Sequence, residues 1–194
     1  MMTFLIAAIE EGVGPDRQRV ENLLLRVARG DEGAFEDLYA LTRAAVYALA
    51  LSILRDHHEA EDVTQGTYVT LWEKAPTYSP QGSPMAWILT IGRNLCYMQL
   101  RKTSRQVALT EPEWNALPAG ELGLTAEEKL LLQDALSALS DGERQVVLLH
   151  AVSGLKHREI AAVLDMSLSG VLSKYHRALK KLRNFVKGDA PHDQ

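Results

Sequence analysis

The sequence predicts an all-α protein of two small helical domains joined by a flexible linker, the C-terminal one a helix-turn-helix. Three observations lead there. Apolar residues recur at helical spacing through most of the 194 residues, and alternating strand patterns are scarce. That periodicity lapses once, over residues 104–124. Near the C-terminus, two short periodic segments flank a tight turn and carry an excess of basic residues.

The elements follow in order. Residues 1–19 read as an N-terminal extension. Its apolar run, Phe4 to Ile9, is short, lacks a preceding basic residue and is followed by Glu10-Glu11, which makes a poor signal peptide. Asp31 is placed to cap a helix in which Phe35, Leu38, Tyr39, Val46, Leu49 and Ile53 form one stripe. After a break at Arg55–His58, a second helix is expected from Glu59 to Lys74. Its core candidates are Val63, Tyr68, Leu71 and Trp72. Pro76 and Pro80 end it, and Thr77–Gly82 has loop composition. Ser83-Pro84 restarts a helix running to about Lys102, with Trp87, Ile88, Ile91 and Leu95 on its ridge. Residues 20–103 therefore form the first domain.

Residues 104–124 read as the linker, with Trp114 as a candidate anchor. Residues 125–187 form the second domain, and 188–194 a disordered tail. Two capping boxes, Thr125–Glu128 and Ser140–Glu143, open two amphipathic helices. Gly154 supplies a left-handed cap to the second. A short helix from Lys156 to Leu164, a turn at Asp165–Ser167 and a last helix to about Lys187 complete the chain. Asp165 takes the turn position that usually favours glycine.

Composition narrows the function classes. Hydrophobic residues make up 46% and charged residues 24%, as in ordinary globular proteins. The one cysteine, Cys96, excludes an internal disulfide, fits a reducing cytoplasmic home and reads as buried rather than nucleophilic. The longest nearly apolar run, Ala44 to Leu54, is far short of the ~20 residues a bilayer needs, so no stable membrane insertion is expected. There is no phosphate-cradling glycine loop, and His57-His58 reads as a loop pair without metal-ligand spacing. The expectation is thus no catalytic centre, no metal and no cofactor.

The net charge of −4 hides an asymmetry. Residues 141–187 carry nine Lys and Arg against four Asp and Glu, whereas residues 1–140 carry twelve against nineteen. A basic end on an acidic body is what one phosphate-facing surface requires. In residues 156–177, Ile160, Ala161 and Leu164 line one helix, and Leu168, Val171 and Leu172 are available to the next. The small Ala161 and the Val171 ten residues on match the close crossing of a helix-turn-helix, whose second helix enters the major groove. Ser167, Ser169, Lys174 and Arg177 are then placed to meet base edges or phosphates, and Lys180, Lys181 and Arg183 continue the cationic face.

With these residues placed, the chain resembles the extracytoplasmic-function, or group 4, sigma factors over about residues 20–187. Gly154 to Leu164 followed by Met166 to Arg183 is similar to that family's C-terminal domain, which reads the −35 element. Ala60-Glu-Asp-Val-Thr-Gln65 through Leu71-Trp72 resembles its core-polymerase-binding helix. Ala86 to Leu95, ending in Leu100-Arg-Lys102, resembles its −10-reading helix. The chain departs from the family pattern at Gly66, Met98, Leu172 and Leu179.

The resemblance implies that Asp62, Gln65 and Trp72 dock on the clamp helices of the largest subunit of RNA polymerase core. It implies that Tyr78, Arg93, Asn94, Arg101 and Lys102 hold the melted −10 strand. It assigns Ser167, Ser169, Lys174, Arg177 and Lys181 to promoter DNA at the −35 element. Opening the duplex costs a few kcal/mol per unstacked step, which stacking and a basic groove offset; Arg93, Arg101, Lys102 and Arg105 supply that charge, and Asn94 can read a base edge. An anti-sigma partner is the family's usual regulator. The competing reading is a two-domain helix-turn-helix regulator that binds operator DNA without polymerase; an enzyme is a distant third.

Overall fold

In a computed structural model the chain is described at Gly12, over residues 14–103 and over residues 126–186. The linker with Trp114, Arg105, the capping Thr125 and the C-terminal tail lie outside the described residues. Among the described residues all regular structure is helical. The helices are α1 (Arg17–Val27), α2 (Glu32–Leu54), α3 (His57–Lys74), α4 (Pro84–Thr103), α5 (Ala126–Ser137), α6 (Asp141–Ser153), α7 (His157–Leu164) and α8 (Leu168–Val186). A single 3-10 turn, Ala75–Thr77, follows α3.

Short polar side chains set the helix starts. Asp16, Asp31 and Asp56 accept from the backbone N–H groups of Arg19, Ala34 and Glu59 at 2.7, 2.9 and 2.8 Å, and each satisfies a donor that the helix itself leaves unpaired. The Ser83 and Ser167 hydroxyls do the same for Ala86 and Gly170. Glu143 reaches back to the N–H of Ser140 at 2.9 Å, completing the expected box. Arg55, Gly154 and Asp165 close α2, α6 and α7 in the left-handed conformation.

Four expectations need correction. Helix α1 begins at Arg17, inside the stretch read as an extension, and buries Val20, Leu23, Leu24 and Val27. His57 and His58 are the first two residues of α3, because Asp56 rather than a later residue caps it. Trp72 is 37% exposed rather than buried; its ring meets Phe35 edge-on at 5.2 Å and leaves one face open. Leu168, offered as a packing residue, is likewise 39% exposed, because it sits at the open start of α8.

Helix α2 organises the molecule. It packs on α1, α3 and α4 on one side and on α6 on another. By length and composition α2 is apolar enough to cross a bilayer, but 61% of its apolar window is buried inside the protein. Its composition is therefore that of a central core helix. Most buried side chains form one cluster from Val20 in α1 to Leu182 in α8, so both halves share a core, and a smaller cluster with Tyr47, Leu51, Leu54, Val63 and Cys96 lies between α2, α3 and α4. Within it Thr42 donates to the Leu38 carbonyl and meets the Tyr68 hydroxyl at 2.8 Å, which satisfies the polar groups that α2 and α3 bury. In the second half Arg144 is 5% exposed and donates to the carbonyls of Leu136 and Leu139 at 2.9 Å each, tying α5 to α6.

Candidate polymerase and nucleic-acid interfaces

Helix α3 presents an unpartnered strip. Asp62, Gln65, Val69, Trp72 and Glu73 are exposed at spacings of three, four, three and one, so they share one face. Val69 is 61% exposed, the most of any large apolar residue described. Val69, Trp72 and Glu73 line an open groove with Phe35 and Glu32 of α2. An apolar centre rimmed by carboxylates is the composition of a protein-docking surface. The sequence reading placed Asp62, Gln65 and Trp72 here and missed Val69, whose position one turn after Gln65 was the available signal.

Helix α4 carries a second strip. Asn94, Tyr97, Met98 and Arg101 are exposed on one face, and Lys102 is exposed beside it. The Arg93 guanidinium lies 4.8 Å from the Tyr97 ring centre, and Arg101 donates to the Tyr97 carbonyl at 3.2 Å. An exposed aromatic ring flanked by cations suits an unstacked base and its phosphate; Tyr97 and Met98 were not singled out from sequence. Two expected members sit differently. Tyr78 is half-buried, edge-on to Trp87 at 5.2 Å, with its hydroxyl donating to Glu21 at 3.3 Å. Burial, with Glu21 adding to it, pushes that hydroxyl up to about 12. Arg93 is half-buried and donates to the Leu164 carbonyl of α7 at 3.3 Å, while its Nε has no partner.

The helix-turn-helix is built from α7, the turn at Asp165 and α8. Ala161 and Val171 are both buried at the crossing. Helix α8 then shows two polar faces. Ser169, Ser173, His176 and Lys180 are exposed at spacings of four, three and four. Lys174, Arg177 and Lys181 instead turn toward the start of α6. The Lys174 ammonium covers Gly142, and Arg177 and Lys181 reach the Glu143 carboxylate at 3.3 and 2.8 Å. Glu143 is nearly buried. That burial raises its pKa, but hydrogen bonds from Lys181 and from the Ser140 N–H and hydroxyl outweigh it and hold the carboxyl at about 2. Ser167 caps α8 and contacts the Ser169 hydroxyl at 3.2 Å. The structure thus divides the five expected residues between two faces, and Ser173 and His176 are the members sequence reasoning missed.

His150 and His157 stack at 4.9 Å, and Tyr175 of α8 meets them edge-on at 5.2 and 4.4 Å. The His150 Nδ1 is 2.9 Å from the Leu155 carbonyl, and the His157 Nε2 is buried without a partner. Among the described residues no group of His, Cys, Asp and Glu has a metal-holding arrangement. Cys96 is fully buried, and burial pushes its thiol up to about 12, outside the range of a reactive thiolate.

Comparison with known proteins finds two matched regions. Residues 38–106 match the family described as Sigma-70 region 2, and residues 129–182 match Sigma-70, region 4. The ECF RNA polymerase sigma factor SigK of Mycobacterium bovis is 32% identical over 88% of this chain and 96% of its own. The SigK of Mycobacterium sp. strain KMS is 29% identical over 84% of this chain and 88% of its own. Among solved structures, CnrH in complex with the cytosolic domain of CnrY superposes with a TM-score of 0.60 at 27% identity, covering 90% of this chain and all of that one. The sigma factor RpoE of Bartonella quintana in complex with the anti-sigma factor NepR gives 0.59 at 26% identity, covering 80% and 98%. The two matched regions in their order, and a relative matched along nearly its whole length, lead to one conclusion: the chain belongs to the ECF RNA polymerase sigma factors.

Proposed function

We propose that the protein joins RNA polymerase core, directs it to promoters of two short elements and opens the downstream one, with no catalytic centre of its own. The observation that carries this reading is the coexistence in one chain of three unpartnered or cationic surfaces in family order: the α3 strip, the α4 strip and the helix-turn-helix. Asp62, Gln65, Val69 and Trp72 dock on the polymerase clamp helices, with the apolar pair central and the polar pair at the rim. Asn94, Tyr97, Arg101 and Lys102 hold the −10 strand, joined by Arg93 and Tyr78 once these leave their present partners. Ser169, Ser173 and His176 face the −35 duplex, while Lys174, Arg177 and Lys181 supply phosphate contacts beside it. The domain limits 20–103 and 125–187, with 104–124 as linker, belong to the same proposal, as does a cytoplasmic site of action beside the polymerase.

An anti-sigma protein is the proposed regulator. The complexes of RpoE with NepR and of CnrH with CnrY support this, because both superpose over most of the chain. A partner covering the α3 strip would exclude polymerase.

The direct test is polymerase-core binding by Asp62→Ala/Gln65→Ala. Both side chains are exposed, so folding is expected to survive while core affinity falls about tenfold or more. Unchanged affinity in the double variant removes these residues from the docking surface.

A further inference from the structure

Val69, Trp72, Tyr97, Met98 and Leu168 are the large apolar side chains exposed among the described residues. Val69 and Trp72 belong to the α3 strip, and Leu168 opens α8. Met98 is left without a role. It is 51% exposed, and among the described residues it neither joins a cluster of buried side chains nor packs against one. A single exposed methionine means nothing by itself. Its neighbours on α4 give it a meaning.

Asn94 lies one turn before Met98, and Arg101 and Lys102 lie one turn after it, so Met98 sits between them on the helix surface. The step from Asn94 to Met98 rises about 6 Å along the axis, one to two nucleotides of a strand that advances about 3.4 Å per nucleotide. Tyr97 stands beside it, with the Arg93 guanidinium 4.8 Å from its ring centre and Arg101 donating to its carbonyl. The sequence of α4 contains no Asp or Glu. The apolar spot is therefore framed by an amide that can read a base edge, an aromatic ring and cations. No carboxylate on the helix repels phosphate. That charge favours a polyanion over the kind of protein surface that the acid-rimmed α3 strip suits.

We propose that Met98 selects the base beside the one that Asn94 meets, and that this base is thymine, held through its C5-methyl group. The proposal rests on the assignment of α4 to the melted −10 strand and adds the identity of one base to it. Met98 has no N–H or O–H, and its thioether sulfur is a weak acceptor. Cytosine placed there leaves its N4 amino group without a strong acceptor, and adenine leaves its N6 amino group. Desolvating such a donor unpaired is costly. Guanine presents only acceptors on the corresponding edge and no methyl group. Thymine alone offers an apolar group, and methyl against thioether forfeits no hydrogen bond. The unbranched side chain, with three rotatable bonds, can follow a base whose neighbour stacks on Tyr97.

Deoxyuridine differs from thymidine by that methyl group alone, so it isolates the contact. The full chain, loaded on polymerase core, is used to select strands from a randomised single-stranded DNA pool. Wild type is expected to enrich thymine at one position, next to the position whose preference Asn94→Ala abolishes. Replacing that thymine by deoxyuridine is expected to weaken wild-type binding about threefold to fivefold, as for one buried methyl group. Met98→Ala is expected to bind the two strands alike, and Met98→Leu to restore most of the difference. Met98 is exposed, so both variants are expected to fold. Absence of thymine enrichment, or an equal deoxyuridine penalty in wild type and Met98→Ala, overturns the role of Met98. Capture of the strand in that same experiment leaves the −10 assignment standing. Weaker core binding by Met98→Ala with unchanged base preference makes the side chain a protein contact and overturns the role as well. A loaded wild type that holds no single strand sinks the −10 assignment, and the role of Met98 with it.

Discussion

Glu143 holds two opposing interests in one carboxylate. It is the closing residue of the α6 cap, and it holds Arg177 and Lys181, two cations assigned to phosphate. Its folded pKa of about 2 lies below the ordinary 4.5. Its stabilisation is therefore fully present above pH 4.5 and is lost as pH falls from there toward 2. The full shift corresponds to about 3 kcal/mol, and screening at the half-exposed lysine reduces this to about 1–2 kcal/mol. Glu143→Gln is expected to lose that much at neutral pH and to flatten the acid limb of urea-denaturation midpoints. The same variant releases Arg177 and Lys181, so its affinity for non-specific duplex at low salt is expected to rise about threefold. Weaker duplex binding in a folded variant would contradict the assignment of these cations to phosphate. Gly66 offers a simpler case. It sits in the middle of α3, and a Cβ there would meet Leu95 at an ordinary 3.7 Å. Nothing in the packing requires glycine. Gly66→Ala is expected to stabilise the protein by about 0.5–1 kcal/mol in thermal or urea unfolding. Destabilisation would show that polymerase-facing geometry at this turn depends on glycine.

At the scale of elements, the starts after Asp31, Ser83 and Ser140 were legible because short polar side chains cap them, whereas the Asp56 cap was passed over for a start at Glu59; stops were legible from Pro76, Pro80, Gly154 and Asp165. Helix α1 escaped because Asp16 to Arg19 are polar and its apolar stripe begins only at Val20. Periodicity put Trp72 among the core candidates while the family resemblance put it on the docking surface, because spacing shows which residues share a face, not whether a neighbour covers it. The division of α8 into two polar faces was equally hidden. The spacing groups Lys174, Arg177 and Lys181, but only the tertiary position of Glu143 shows that they face α6. The stack of His150, His157 and Tyr175 joins three helices and has no local signature. It carries a pH dependence. Burial lowers the pKa of His157, and His150 and His176 lower it further. Below the ordinary value of 6.5 the unfolded chain takes up a proton that the folded one resists, so stability falls as pH drops through 6.5. Melting temperatures at pH 7.5 and 5.5 are expected to show this decline, and His157→Gln is expected to reduce it. An identical decline in the variant would place the proton elsewhere.

For the whole molecule, one apolar core runs through both halves. Helix α2 gives one side to α1, α3 and α4 and another to α6, so the helix-turn-helix has a berth on the first half as well as a role on DNA. The α3 strip stays open in this arrangement. The family assignment was legible from three motifs in order. The packing of α6 on α2 was not, because it depends on surfaces far apart in the sequence.

The central claim is that this chain redirects where polymerase begins transcription. Run-off transcription on a library of promoter fragments, with core enzyme alone and with the protein added, tests it most directly. The account predicts new, discrete start sites only when the protein is present, and their loss with Asn94→Ala while duplex binding persists. Start sites identical with and without the protein would contradict it.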